Sequence, residues 1–298
     1  MTEPDPLGAV VGAWLEHLAT QRRLSPHTLA GYRRDVAKLV AWMREAGIPA
    51  FTDLDSEHMR RFLADQHRAK LAPKSLQRLL SACRALFRHM GRRGMLAADP
   101  AAGLRAPKVR RRLPETLDAD EARRLVSLAG DEPLAVRDRA MLELFYSSGL
   151  RLAELVALRW GDIDLDEGQA RVLGKGGKTR IVPVGRHAVA ALREHAQGTI
   201  VGEVAPVFAG RGGAPLSPRS VQLRLKRAAH LQGIDKNVYP HLLRHSCASH
   251  LLESSGELRA VQELLGHADL GTTEIYTHLD FQHLAKVYDA AHPRAKRR

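Results

Sequence analysis

The segment from His241 to Asp280, HLLRHSCASHLLESSGELRAVQELLGHADLGTTEIYTHLD, concentrates side chains that are costly to bury. Its histidines, Arg244 and Tyr276 each carry a polar group that needs a partner once it leaves water. Reaction at a phosphodiester requires groups of this kind. Charge grows on two non-bridging oxygens in the transition state, and guanidinium groups match them with paired hydrogen bonds. A nucleophile and a proton donor for the leaving oxygen complete such a site.

Arg151 lies at a boundary between two predicted helices. Gly149, in SSGLRLAEL, predicts that one helix ends in a left-handed turn, and the next helix begins at or near Arg151. A helix N-terminus favours anions, and Glu154 lies three residues on, where it could hold the guanidinium in position. Taken alone, the two residues could equally form a surface ion pair of little energetic value.

A second arginine is predicted near another helix start. Pro240 fixes the beginning of that helix, so His241 and Arg244 share one face close to its positive end. Two cations there are unfavourable unless an anion lies between them, which favours an anion site. The alternative is that His241 is a helix-start histidine with satisfied hydrogen bonds. His245 and His250 lack such a setting and are predicted to be structural or exposed.

Further reactive groups lie close to predicted turns. His267 follows a helix-ending glycine, and a short helix predicted at about 271–278 would present Tyr276. A tyrosine with a pKa near ~10 needs a base or a cationic field to act as a nucleophile at neutral pH. Lys175 and Lys178, at the tip of a predicted hairpin, could reach a phosphate or protonate a leaving oxygen. The competing interpretations are a half-buried packing tyrosine and a soluble lysine-rich turn.

The elements that must position these residues are mainly helical. Residues 1–98 contain four predicted helices with apolar residues at helical spacing. The first covers Leu7 to Leu18; Ser25 and Pro26 begin the second, which reaches Gly47; Ser56 is the predicted cap of the third; and Pro73 opens the fourth, which ends at Gly91. We expect a compact helical bundle.

A proline-rich, basic stretch follows this bundle. ADPAAGLRAPKVRRRLP contains three prolines and a run of Lys108, Arg110, Arg111 and Arg112. Such a composition packs poorly, so residues 99–114 are predicted to be a linker. A solvated tether is one interpretation of the charge run, but basic sequences on both sides favour contact with a nucleic-acid backbone.

Residues 115–298 form the predicted second domain, which is rich in helix. Asp118 with Glu121 resembles a capping box, and helices are predicted at about 118–129, 133–147, 185–196, 217–231, 240–253, 257–265, 271–278 and 281–290. QARVLGKGGKTRIVPV has the pattern of two strands around a turn, which predicts a small β-hairpin. The predicted fold class is therefore mainly α, with a four-helix N-terminal domain and an α-rich C-terminal domain that carries a small sheet.

Composition narrows the class of protein. The chain of 298 residues has 46 Lys and Arg against 33 Asp and Glu, a net charge of +13 that favours a polyanionic partner. Two cysteines, Cys83 and Cys247, exclude a disulfide framework and are predicted to be buried thiols. Because no signal peptide or apolar run of membrane-spanning length is visible, we expect a cytoplasmic protein.

Five motifs, in order, resemble those of the tyrosine recombinase (phage integrase) family. They are SSGLRLAEL, LGKGGKTR, HLLRHSCASHLL, LLGHADL and TTEIYTHL. Single motifs of this kind are weak evidence, but five in order with matching spacing are specific. The resemblance spans the chain, since a helical core DNA-binding domain precedes the catalytic domain in this family. The C-terminal part is most similar to the Xer subgroup.

The resemblance implies which residues hold the phosphate. By similarity, Arg151 and Arg244 would clamp the scissile phosphate, and His267 would donate a hydrogen bond to it. No metal or cofactor is implied, because two arginines and a lysine would supply the positive charge that a metal supplies elsewhere.

It also implies a nucleophile and two groups that transfer protons. Tyr276 would attack the phosphorus and form a 3′-phosphotyrosine, while Lys175 would protonate the leaving 5′-oxygen. His241 would take the proton of Tyr276 as general base and return it in the reverse step. The covalent link conserves the energy of the broken bond, so a second DNA 5′-hydroxyl can reseal it without ATP.

Partners are implied as well. By resemblance, the chain would close as a two-domain clamp on duplex DNA at a dif-like site and work in a tetramer through a Holliday junction. A XerD-type recombinase would be its partner, an FtsK-type DNA translocase a possible activator, and resolution of chromosome dimers its role at cell division. The stripe Phe281, Leu284, Val287 and Tyr288 predicts a C-terminal helix. By resemblance, this helix would dock into a neighbouring protomer; the alternative is that it packs on its own domain.

Two rival functions remain open from the sequence. One is a mobile-element integrase of the same family, or a recombinase that works without a second type of subunit. The other is a DNA-binding regulator that kept the fold and lost catalysis. The second rival is disfavoured because Arg151, Lys175, His241, Arg244, His267 and Tyr276 are all present.

Overall fold

A computed structural model gives the structure of the chain. It describes residues 5–22, 24–107, 115–174, 177, 179–199, 202–266 and 278–294, apart from the side chains of 27 and 278–283. The chain divides into two compact units, Met1–Arg112 and Leu113–Arg298, each with its own apolar core. None of the helices in the described ranges is both long and apolar enough to span a membrane.

The first unit is a bundle of four α-helices. They are α1 (Pro6–Thr20), α2 (Pro26–Glu45), α3 (Ser56–Arg68) and α4 (Pro73–Arg92), with a 3-10 turn at Phe51–Asp53. Proline begins three of the four helices, where its missing N–H costs nothing. Trp14, Met43, Phe62 and Leu79 are almost fully buried in the centre of the bundle. The four predicted helices and the cap at Ser25 are confirmed.

The start of α3 differs from the prediction. Asp55, not Ser56, caps this helix, and its carboxylate accepts a hydrogen bond of 2.8 Å from the backbone N–H of His58. Ser56 is the first helical residue. Both residue types are good caps, so the choice depends on which of them keeps an extended backbone, and Asp55 does (φ −120°, ψ −176°).

Part of the predicted linker packs on the first unit. Ala101 is fully buried and Leu104 nearly so. Arg84, on α4, donates hydrogen bonds to the carbonyl oxygens of both residues, and Gln77 donates to that of Pro107 at 3.2 Å. Side chains of α4 therefore satisfy the backbone of a segment whose prolines and glycine cannot form regular structure. Lys108 and Arg110 to Arg112 lie outside the described residues.

The second unit is mostly helical around one small sheet. Its helices are α5 (Ala119–Val126), α6 (Pro133–Ser147), α7 (Leu152–Ala157), α8 (Arg186–Gln197), α9 (Pro218–Leu231), α10 (Pro240–Ser255), α11 (Leu258–Leu265) and α12 (His278–Ala291), with 3-10 turns at Trp160–Asp162 and Arg211–Gly213. Helix α6 is buried on nearly every side from Ala140 onward, which identifies it as the central helix of the unit.

The predicted hairpin is confirmed and belongs to a three-stranded antiparallel sheet. The strands are β1 (Ile163–Asp164), β2 (Gln169–Leu173) and β3 (Thr179–Pro183), in the order β1-β2-β3. Val172 pairs with Arg180 across the hairpin. The short strand β1 was not predicted, because two residues are too few to show an alternating pattern.

Most predicted helices of this unit are found close to their expected positions. The capping box is confirmed, since the N–H of Glu121 donates to Asp118 at 2.7 Å and the reciprocal bond is 2.9 Å. Helix α5 ends at Val126, three residues before the predicted end. The helix predicted at 271–278 lies almost wholly outside the described residues.

Helix α12 packs within the second unit. Leu284, Val287 and Tyr288 are buried against α10, α11 and β3. Just beyond the helix, Arg294 forms a buried ion pair with Glu143 of α6, donating from Nε at 3.0 Å. The described part of the apolar stripe is thus covered by the chain's own domain, while the side chain of Phe281 lies outside the described residues. Docking into a neighbouring protomer stays a prediction that would require this helix to exchange partners.

Candidate anion-binding site

Arg151 begins helix α7 as the N-terminal cap, as predicted. Gly149, with φ +54°, supplies the left-handed turn that separates it from α6. A side chain at Gly149 would also meet Sγ of Cys247 at 3.3 Å, so two requirements favour glycine there. The turn directs the Arg151 side chain toward the end of α11, where its Nη2 donates to the carbonyl oxygens of Leu265 and Gly266, both at 3.1 Å.

Glu154 is the buried anion of this site. Its Oε1 accepts from Nη1 of Arg151 at 2.8 Å, and its Oε2 accepts from the Arg151 backbone N–H at 2.7 Å. The prediction that Glu154 holds this guanidinium is confirmed. Burial raises the pKa of Glu154, but hydrogen bonds from Arg180 and from the Arg151 backbone outweigh it, and the resulting pKa is about 2. The carboxylate is therefore ionised at any physiological pH.

Arg244 approaches the same carboxylate from helix α10. Its side chain is buried and donates to the carbonyl oxygens of Gly149 and Leu265. Its Nη1 lies 3.9 Å from Oε2 of Glu154. Burial, and after it the charge of Arg151, lower the pKa of Arg244 to about 10. Since Leu265 accepts from both Arg151 and Arg244, one peptide carbonyl brings the two guanidiniums together.

Arg180 is a third arginine here, and the motif reasoning did not single it out. It lies on β3, where Nη1 donates to Oε1 of Glu154 at 2.7 Å and Nη2 donates to Oε2 at 3.0 Å. One signal in the sequence could have found it. Successive side chains of a strand point to opposite faces, so Arg180 shares the buried face of β3 with Val182. A charged residue at such a core-facing position needs a buried counter-ion.

The charges of this site do not cancel. Among the four side chains of the ion cluster, the guanidiniums of Arg151, Arg180 and Arg244 surround the carboxylate of Glu154, which leaves these four with an excess of two positive charges. Uncompensated charge in a low-dielectric environment is costly, so the arrangement favours an incoming anion. Paired guanidinium N–H groups match the geometry of a phosphate.

An open pocket of about 260 Å³ lies beside Arg244 of this cluster. Arg244 and Leu265 line it together with His241, His245 and Glu115. His241 is exposed on the first turn of α10, on the side of the helix that carries Arg244. The structure thus brings together three of the predicted site residues: Arg151, Arg244 and His241.

The other three predicted residues, Lys175, His267 and Tyr276, lie outside the described residues. The chain next to each of them is described. Strand β2 ends two residues before Lys175, and α12 begins two residues after Tyr276. His267 directly follows Gly266, which ends α11 in the predicted left-handed conformation, with φ +60°. Their places in the site therefore stay predictions.

The remaining histidines of the α10 segment have the ordinary roles expected for them. His245 is exposed and His250 is buried. His250 Nε2 donates to the carbonyl oxygen of Leu117 at 2.9 Å, so its Nδ1 accepts from the hydroxyl of Tyr146 at 2.7 Å. Both ring nitrogens are thus used inside the fold. Among the residues described, no three His, Cys, Asp or Glu side chains are grouped so that they could hold a metal ion.

Models of known protein families match both units of the chain. Residues 115–283 match the model of the phage integrase family, and residues 11–94 match the phage integrase N-terminal SAM-like domain. Curated relatives are similar over nearly their full length. A tyrosine recombinase XerC of Xanthomonas campestris pv. campestris is 59% identical over 97% of this chain and 90% of its own. One from Pseudomonas aeruginosa is 54% identical over 97% and 96%.

Solved structures show the same fold. A XerH site-specific recombinase bound to a palindromic difH substrate superposes with a TM-score of 0.74 at 20% identity, over 96% of this chain and 97% of that one. A lambda integrase dimer bound to a COC′ core site gives a TM-score of 0.69 at 23% identity, over 91% and 99%. At these identities the likeness concerns the fold.

Replacement of Glu154 by glutamine tests the charge balance of the site. The folded-state pKa of Glu154 lies below its ordinary value of 4.5. Its ionised form therefore stabilises the fold above about pH 4.5, and this contribution is lost as the pH falls toward about 2. Glu154→Gln should unfold at lower urea concentration than the parent at pH 7, and the difference should shrink between pH 4.5 and 2. A difference that stays constant over this range would contradict the assignment.

Proposed function

The chain belongs to the phage integrase family, the tyrosine recombinases, and we propose that it cuts and rejoins DNA at dif-like sites through a 3′-phosphotyrosine intermediate. It is a site-specific recombinase of the Xer type, and DNA is its substrate. The single observation that carries the proposed chemistry is the cluster of Arg151, Arg180 and Arg244 around Glu154, which leaves positive charge for a phosphate.

In the proposed reaction, Arg151 and Arg244 bind the non-bridging oxygens of the scissile phosphate. Both guanidiniums are fixed before DNA arrives, since each is hydrogen-bonded to the carbonyl of Leu265. Preorganised donors need no rearrangement as charge grows on the oxygens in the transition state. We expect His267, directly after the α11 turn, to donate a further hydrogen bond to the same phosphate.

The bond changes then balance without a co-reactant. The hydroxyl oxygen of Tyr276 attacks phosphorus and loses its proton to His241, while the bond from phosphorus to the 5′-oxygen breaks. Lys175 supplies the proton that this leaving oxygen takes up. Attack by the 5′-hydroxyl of another strand reverses these steps and releases the tyrosine. His241 is accessible to an approaching group because it lies exposed in the pocket beside Arg244.

The finer role follows from similarity to XerC proteins over nearly the whole chain. We infer that the protein works in the cytoplasm with a XerD-type recombinase in a heterotetramer and resolves chromosome dimers at cell division. An FtsK-type translocase is the activator that this role calls for. The net charge of +13 on this chain suits a polyanionic substrate such as DNA.

A mobile-element integrase of the same family is the alternative function. It would recombine its own attachment sites and need no XerD-type subunit. Similarity to XerC relatives over nearly the whole chain favours the chromosomal role. A silent DNA-binding regulator is less consistent with the chain, because all six residues expected for catalysis are present in its sequence.

Tyr276→Phe tests the nucleophile. Phenylalanine keeps the ring and removes the oxygen that would attack phosphorus. The variant should form no covalent protein–DNA adduct on a nicked duplex carrying the dif-like site of the organism that encodes the chain, and should bind that duplex as tightly as the parent. Tyr32→Phe is the matched control: this half-buried ring stacks on Trp14 in the first unit and should leave the adduct unchanged. Adduct formation by Tyr276→Phe would disprove the assignment.

Lys175→Ala tests the proton donor separately. Without an acid, the 5′-oxygen must leave as an alkoxide, so cleavage of the normal duplex should be strongly slowed. A duplex with sulfur in place of the bridging 5′-oxygen should restore cleavage, because a thiol has a pKa near ~8.5 and its sulfur leaves without being protonated. Lys178→Ala is the control and should retain normal cleavage. A variant as slow on the sulfur duplex as on the normal one would exclude Lys175 as the acid.

A half-site binding assay separates the chromosomal role from the mobile-element role. The protein should bind one half of a dif-like duplex, and a XerD-type recombinase added to the other half should increase its affinity. This cooperativity arises because each bound subunit orients the next. The measurement is a gel-shift titration on duplexes with either half-site scrambled. If the affinity for the half-site does not change when the XerD-type recombinase is added, the alternative function is favoured.

A further inference from the structure

We propose that Arg180 is a positioning residue for the reaction. It holds Glu154 and, through it, the guanidiniums of Arg151 and Arg244 in the arrangement that receives the phosphate. The proposal rests on the proposed function, since it concerns the same site. Arg180 is not expected to touch the DNA: its side chain is 5% exposed, compared with 32% for Arg151.

The first argument concerns the carboxylate. Glu154 accepts two hydrogen bonds from Arg180, one on each oxygen, at 2.7 and 3.0 Å. This paired contact uses acceptor sites that Arg151 and Arg244 would otherwise compete for. Arg244 already has Nη1 within 3.9 Å of Oε2. If Arg180 were absent, the buried carboxylate would attract Arg244 more strongly and draw it away from the incoming phosphate.

The second argument concerns the end of α11. Nε of Arg180 donates to the carbonyl of Leu264 at 3.3 Å. Gly266 packs so closely on the same side chain that a Cβ there would lie 3.1 Å from both Cδ and Nε. Leu265, between these two residues, accepts from Arg151 and Arg244. Arg180 therefore fixes the turn that orients both phosphate-binding arginines.

Lysine could not make these contacts together. The planar guanidinium reaches both oxygens of Glu154 with its two Nη groups while Nε faces Leu264. A lysine has one nitrogen, which can meet a carboxylate oxygen but cannot span the pair and the helix end. A purely structural ion pair would tolerate lysine far better than a positioning contact would.

The test combines rate, binding and stability in the full-length protein. Arg180→Met, Arg180→Lys, Glu154→Gln and the double variant Arg180→Met/Glu154→Gln are compared with the parent. Single-turnover formation of the covalent adduct is measured at saturating nicked dif-like duplex, well below the melting temperature, together with the final adduct per protein and the duplex affinity. Arg139→Met is the matched control, because Arg139 is a largely buried partner of Glu194 in the same unit, and its other described hydrogen bonds go to the carbonyl oxygens of Leu128 and Gly130 rather than to the Glu154 cluster.

We expect Arg180→Met to lower the rate constant about 100-fold, the order of loss that a small misplacement of binding groups produces. Its final adduct and duplex affinity should stay near those of the parent. Arg180→Lys should recover only part of the rate. The double variant should be no slower than the slower single variant, since both changes act through one carboxylate. Arg139→Met should lower the melting temperature and keep the rate constant.

Three results would overturn the proposal. Arg180→Met with an unchanged rate constant would show that Arg180 has no positioning role. A decrease in only the final adduct or the melting temperature of Arg180→Met would also exclude a positioning role, because a purely structural residue would give that result. Additive losses in the double variant would show that Arg180 does not act through Glu154. If the parent itself formed no adduct, the proposed function would fail and this inference with it, a result distinct from the first three.

Discussion

The ion cluster around Glu154 is the constraint on which the rest of the second unit depends. A buried carboxylate and three guanidiniums are expensive to remove from water, and the cost is offset only if each polar group finds a partner in good geometry. The partners here are peptide carbonyls as well as the carboxylate: Arg151 and Arg244 share the oxygen of Leu265, and Arg180 uses that of Leu264. Removing Glu154 would leave the buried guanidiniums of Arg180 and Arg244 without their counter-ion.

The fold brings these groups together by ending several elements at one place. Helix α7 begins there, strand β3 passes with its buried face inward, helix α10 contributes its first turns and helix α11 ends. Gly149 and Gly266, both at positive φ, allow the chain to turn where a Cβ would meet the Sγ of Cys247 and the side chain of Arg180, respectively. Helix starts and helix ends meet, so backbone dipoles and side chains both contribute to the field of the site.

Helix α12 packs against three of the elements that form this site: α10, α11 and β3. It begins two residues after Tyr276, and it is held by buried apolar contacts and by the ion pair of Arg294 with Glu143. Beyond the helix, His292 stacks on the ring of Tyr288, with centroids 4.6 Å apart. Burial lowers the pKa of His292 to about 3, so this ring is neutral at physiological pH and adds no charge to the core.

The sequence by itself determined what depends on neighbours within a turn or two of chain. Proline at Pro26, Pro73 and Pro240 marked helix starts, the pair Asp118 and Glu121 marked a capping box, and the turn between β2 and β3 marked a hairpin, since each rests on local backbone chemistry. The contact of Arg151 with Glu154 was predictable for the same reason, because three residues along a helix bring two side chains together. The five motifs, found in order, also predicted the family and the six expected site residues.

Only the tertiary structure decided which distant groups meet. Arg180 reaches Glu154 across 26 residues of chain, and Arg244 reaches the carbonyl of Gly149 across 95. No local pattern specifies such contacts, because they depend on the path of the chain and on which buried charge finds which partner. The same reason explains why residues 99–107 pack on α4 despite their composition. Local sequence patterns predicted which residues could bind an anion. Long-range packing determined which of them surround the carboxylate of Glu154.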